Sequence, residues 1–167
     1  MPKSKRAAAA TGENAVIPTP RTQADRMYRE AVECVRQRQR YAKLVDNGVD
    51  EDEQRGALRI VCIADEVLVA SVKAYEEIAA RDSAHRQEEW WHKANSLWHA
   101  SREYNRRHAD CDSRSRTFAT HSPARLAELT MEYDLEASAL LALRQSLTAY
   151  RKSVPDADIE SGTARVA

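Results

Sequence analysis

Apolar residues recur along this chain at alternating spacings of three and four, the period of an α-helix that buries one face. Four stretches carry the pattern. The first covers residues 22–46, with Tyr28, Ala31, Val35, Ala42 and Val45 on one line and Arg38 standing in it. Asn47-Gly48 closes it, because both residues tolerate the left-handed backbone of a helix C-terminus. The second opens at Asp50, followed three residues later by Glu53, a capping-box signal with acids at the positive end of the helix dipole. Its line is Ala57, Val61, Ala64, Leu68, Val72, Tyr75 and Ala79. Ile60, Ile63, Val67 and Val69 widen that face, so this helix is expected to be the most buried of the four.

Neither glycine nor proline interrupts residues 81–84. A turn is nevertheless expected there, opened by Asp82 or Ser83 as a cap, since bundles usually join near-equal helices by short loops. One bent helix is the alternative, since a single straight helix from 51 to 111 would bury its stripe only in a coiled coil. The third line is Trp90, Ala94, Leu97, Ser101, Tyr104, His108 and Cys111, after which the chain becomes a serine-rich polar loop. Ser122-Pro123 restarts a helix, serine as cap and proline in the first turn. Leu126, Leu129, Tyr133, Leu140, Leu143, Leu147 and Tyr150 then form the longest regular line, with Glu136 in its one gap.

These elements predict an all-α protein, an antiparallel up-down four-helix bundle over residues 21–152, about 40–45 Å long. A disordered basic, alanine-rich arm is expected at 1–20 and a disordered polar tail at 153–167. Charges that fall in apolar stripes need partners, because an unpaired carboxylate in a core is costly. Asp65 is expected to meet Arg102 at the same height on the third helix. Arg38 is expected to meet Glu136, as both lie about 24 Å from the same end of the bundle.

Composition narrows the classes of function. The 26 basic and 26 acidic residues cancel, so no bulk field draws the chain to nucleic acid or to an anionic membrane. Three cysteines at no recognisable spacing argue for a reducing, cytoplasmic setting rather than a disulfide scaffold. No apolar run is long enough to span a bilayer.

Candidate chemistry is sparse. Trp91-His92 and Trp98-His99 repeat at seven residues, with His85 one heptad earlier, but side chains seven apart are about 10 Å from each other, too far to share a metal ion. Glu89-x-x-His92 is half of a di-iron motif and finds no second half, and His108 with Cys111 lacks a completing pair. No metal and no cofactor are therefore expected. Arg102 and His108 fit the loose Arg-x4–6-His pattern of the all-helical HEPN ribonucleases, making them the only catalytic candidates. Four such pairs occur here and about two are expected by chance, so no membership follows.

The remaining signal is for assembly. Trp91 and Trp98 lie on the shoulder of the third stripe, where large aromatics either thicken the core or contact a partner protein. Arg102, Arg106 and Arg107 adjoin them as candidate partner-binding residues. Arg36, Arg40, Lys43, Arg114 and Arg116 form local basic clusters suited to a nucleic-acid backbone. The sequence thus reads as a non-catalytic bundle working as a subunit, beside other protein subunits or copies of itself, with RNA or DNA contact as an extension. A helical ribonuclease and a metal-binding bundle are the alternatives.

Overall fold

The computed structural model describes residues 18–117 and 122–154, the side chains of 114–117 excepted. It is a four-helix bundle: α1 (Pro20–Asp46), α2 (Glu51–Ala79), α3 (Glu89–Thr117) and α4 (Pro123–Ser153). The described residues contain no strand. The expected arm and tail fall, apart from their edges, on residues outside the described ones.

Local chemistry sets the helix ends. Thr19 caps α1 by accepting from the Thr22 N–H, while the Thr22 hydroxyl accepts from the Thr19 N–H at 2.9 Å, with Pro20 in the first turn. α1 therefore begins two residues before the expected start. Gly48 takes φ 63°, which only glycine adopts without cost, and lets the chain turn into Asp50. The Asp50 carboxylate accepts from the N–H groups of Asp52 and Glu53, both at 3.0 Å.

The break after α2 spans 80–88 rather than 81–84. Asp82 does not cap α3; its carboxylate takes the Ala84 N–H at 3.1 Å and the His85 ring at 2.9 Å, which rounds the chain through a turn before Glu89. α3 runs on to Thr117, past the expected stop at Cys111. Ser122 caps α4 as expected, accepting from the Arg125 N–H at 3.4 Å.

α1 packs chiefly along α2, and α3 along α4, so two helical hairpins face each other. Long-range contacts set an up-down-up-down course. Tyr150 near the end of α4 donates to Asp25 near the start of α1 at 2.6 Å. Tyr75 near the end of α2 meets Asn95 near the start of α3 at 3.2 Å. The Arg21 guanidinium lies 5.1 Å above the Trp90 ring, joining the two helices that run parallel.

The apolar core is concentrated at that end. Ala24, Met27, Tyr75, Leu97, Leu143 and Tyr150 are fully buried in it. Beyond Arg38 and before Glu136 the stripes come apart: Val45, Leu126 and Tyr133 are nearly half exposed. On α4 the inward place is taken by Glu132, only 5% exposed. Nor is α2 the most buried helix, since Ile60, Ile63 and Val69 stand in solvent. They sit about 100° per residue around the helix from Val61 and Leu68, too far round to join the same core.

Candidate functional site

At mid-height each helix sends one or two ionisable side chains inward, and they meet. Arg38 of α1 is the hub. Its guanidinium donates to Asp65 of α2 at 2.7 Å and to Glu136 of α4 at 3.1 Å. The Arg38–Glu136 pairing is as expected from the two interrupted stripes. Asp65 pairs with Arg38, not with Arg102, which overturns the other expected pair. Arg102 is exposed on the outside of α3, stacked 5.5 Å from the Trp98 ring and 3.9 Å from Glu76. The physical reason is direction around the helix: Tyr104 and His108 face Asp65, and Arg102 lies about 200° from Tyr104.

Asp65 is nearly saturated. One oxygen accepts from the Cys34 thiol at 3.0 Å and the Tyr104 hydroxyl at 3.2 Å. The other faces Arg38 and, at 3.4 Å, His108 Nε2. His108 Nδ1 lies 2.8 Å from Glu136, so only the doubly protonated ring donates to both carboxylates. Tyr104 touches both cation and imidazole: its ring lies near-parallel to the His108 ring, and the Arg38 guanidinium is 5.1 Å from its centre.

Burial and close partners shift several of these groups. Burial alone would raise the pKa of Glu136, but the His108 hydrogen bond and the Arg38 charge hold it below the ordinary carboxylate value. Burial also opposes the Arg38 charge, yet Tyr104, Asp65 and Glu136 together push its pKa up. Cys34 is driven up to about 12 by burial and by its bond to Asp65, and Cys111 to about 11 by burial and Glu136. Both are thiols at neutral pH, unsuited to nucleophilic attack. Burial likewise raises the Tyr104 phenol.

Arg38, Asp65, His108 and Glu136 line one side of a cleft of about 490 Å³ whose walls include Tyr41, Leu58, Tyr133 and Leu140. The volume suits a small molecule. The polar groups, however, are spent on one another: the carboxylates accept from the protein's own cations and both imidazole nitrogens are engaged. The cluster ties four helices together. Among the described residues no group of three or more His, Cys, Asp or Glu is placed to hold a metal ion.

The two catalytic candidates are thus not brought together. His108 belongs to the buried cluster and Arg102 to the surface. Sequence reasoning missed Tyr104, Cys34 and Asp65 as one cluster; the signal was that three inward lines carry a polar residue at one height. Cys62 is exposed, whereas Cys34 is buried.

Of the partner-binding candidates the two tryptophans gather, whereas Arg102, Arg106 and Arg107 do not line the same groove. Trp91 and Trp98 are half-buried against the core and line one groove of about 350 Å³ with Tyr75, Ala79, Arg86 and Asn95. Neither indole N–H has a hydrogen-bond acceptor among the described residues. Arg106 and Arg107 turn away from this groove to Glu103, at 2.7 and 2.8 Å, and their hydrogen bonds bring Glu103 down to about 2.

The basic clusters divide. Arg36 is paired with Glu33 at 2.9 Å, whereas Arg40 and Lys43 are exposed with no ion pair among the described residues. The side chains of Arg114 and Arg116 lie outside the described residues. No helix among those described is long and apolar enough to cross a membrane. No protein-family model, no curated protein and no solved structure matches the chain.

Proposed function

We propose that the chain is a non-catalytic helical-bundle subunit that docks onto a partner protein through the groove of Trp91 and Trp98. One observation carries the reading: two indoles a heptad apart share one apolar groove, each with a buried N–H that donates to nothing in the described chain. Such a donor costs free energy until an acceptor reaches it, and tryptophan is enriched among the residues that anchor protein interfaces. Arg86 on the rim adds a cation that a partner's carboxylate can meet. The three unpaired thiols support a cytoplasmic setting.

Nucleic-acid contact is the weaker extension. Arg106, Arg107 and Arg36 already serve neighbouring acids, so a phosphate would have to displace them, whereas Arg40 and Lys43 of α1 make no ion pair among the described residues.

The experiment compares the wild-type chain with Trp91→Ala/Trp98→Ala. The variant is expected to lose the proteins that the wild type retains from its native lysate, while its Tm falls by less than about 5 °C. Equal retention, or a collapse in Tm, overturns the reading. Labelled RNA and DNA are titrated in parallel across salt. A steep salt slope would favour the nucleic-acid role, and cleavage would favour a ribonuclease.

A further inference from the structure

α2 carries a second heptad line that its own bundle does not use. Ile60, Ile63, Val67, Ala70 and Ala74 follow one another at spacings of three, four, three and four along the flank away from Val61 and Leu68. Ile60 is 42% and Ile63 60% exposed, Ala70 is exposed, and Val67 and Ala74 are half-buried. A helix that needed only one buried face would carry polar residues there.

The charges beside this line are equally without use inside the chain. Arg59, Glu66 and Lys73 recur at seven-residue intervals on its outer edge, all exposed, and none makes an ion pair among the described residues. Their signs alternate. The inner edge, Ala64 and Ser71, turns into the protein's own core and is closed to a partner.

We propose that this flank of α2 binds the same flank of a second copy of the chain, the two helices running antiparallel about a twofold axis at the level of Leu68 and Val69. The pattern selects that partner and that direction. In the antiparallel register Ile63 faces Ala74 of the second copy and Val67 faces Ala70, large against small, while Ile60 lies at the end of the contact beside Glu77 of the second copy. Glu66 then lies within about two residues, roughly 3 Å along the axis, of Lys73 of the second copy, and the symmetry repeats the pair. A parallel arrangement would set these charges against Ser71 and Ile78 and give them no partner. The surface is distinct from the tryptophan groove, which lies between the end of α2 and the start of α3, so the two interfaces can be filled independently.

Sedimentation of the full chain over a range of concentrations tests this. The wild type is expected to pass from monomer to dimer with rising concentration. Ile63→Glu, at a position already in solvent, is expected to remain monomeric with an unchanged helical circular-dichroism signal. Glu66→Lys and Lys73→Glu each place like charges across the axis and are expected to weaken the dimer about tenfold. Mixing these two single variants restores opposite charges at both pairs, so they are expected to form a heterodimer tighter than either homodimer. Combining both exchanges in one chain is expected to restore the homodimer. A wild type that stays monomeric, a dimer indifferent to Ile63→Glu, or charge variants without rescue on mixing would each overturn the proposal. Trp91→Ala/Trp98→Ala is expected to dimerise as the wild type does, which separates failure of this interface from failure of the groove.

Discussion

The two halves of this bundle are built on opposite principles. In the half holding the start of α1 and the end of α4, Met27, Leu97, Leu143 and Tyr150 interlock with no exposure, and stability comes from apolar area removed from water. In the other half the helices are joined by Arg38, Asp65, His108 and Glu136, and apolar residues such as Leu126 and Tyr133 spread toward solvent. Apolar packing is tolerant of small shifts, whereas a charge cluster demands particular partners. Removing one member leaves the others uncompensated in a poor solvent for ions. The first half therefore supplies most of the stability, and the second sets the helices' register.

The sharpest way to break this contrast is to remove the hub. Arg38→Met leaves Asp65 and Glu136 with only His108 between them and is expected to cost about 3–5 kcal/mol in urea denaturation. Adding Glu136→Gln to that variant should recover part of the loss, because one stranded charge is gone. Leu97→Ala in the apolar half is expected to cost about 2–4 kcal/mol, and Glu136→Gln should add to it independently. If Arg38→Met costs less than 1 kcal/mol, the cluster is ornamental and both halves rest on packing alone.

Much of this division was legible in the residues. The helices and the Asp50 and Ser122 caps follow from period and local chemistry. Thr19-Pro20 carries the same signal as Ser122-Pro123, but it was absorbed into a stretch whose alanine and proline content reads as a tail. The Arg38–Glu136 pair was legible because each charge interrupts its own stripe at a matching height. Asp65 was misassigned because rise along a helix is well determined by sequence, whereas direction across to a neighbour depends on which helices pack. Arg102 has the right height and the wrong face. The exposed Ile60 and Ile63 were merged with the core stripe for a related reason: hydropathy counts apolar residues without saying which of two flanks they serve.

Acid should loosen the charged half first. The folded pKa of Glu136 is lowered from 4.5, so its contribution is complete above pH 4.5 and is lost as pH falls through the depressed folded value. Glu103 also lies low, but on the exposed surface, where salt screens it. Stability measured between pH 5 and 2 in high salt is thus expected to retain an acid limb that Glu136→Gln flattens. At the alkaline side the sign reverses. Cys34 and Cys111 keep their protons up to about 12 and 11, against 9.0 in the unfolded chain, so stability is full below pH 9 and declines as pH rises beyond it. Tyr75 and Tyr150, raised by burial in the apolar half, add to that decline, so both halves share the alkaline limb. An acid limb unchanged by Glu136→Gln would remove the cluster from the account.

The smallest effect is also the most local, because the three thiols report on three environments. Cys62 stands exposed on α2, whereas Cys34 is fully buried and Cys111 nearly so. A disulfide reagent at pH 8 is expected to modify one thiol per chain at once, and Cys62→Ser should abolish that fast phase. The other two are held as thiols by burial and by carboxylate neighbours, so they react only when the charged half opens. Their rate then decides whether the halves open separately. If they do, Arg38→Met accelerates labelling of Cys34 and Cys111 by more than its loss of global stability accounts for. Leu97→Ala, acting in the other half, accelerates it only in proportion to that loss. Identical scaling for both variants would mean that the bundle opens as one unit, and the contrast between its halves would then be one of chemistry without consequence for motion.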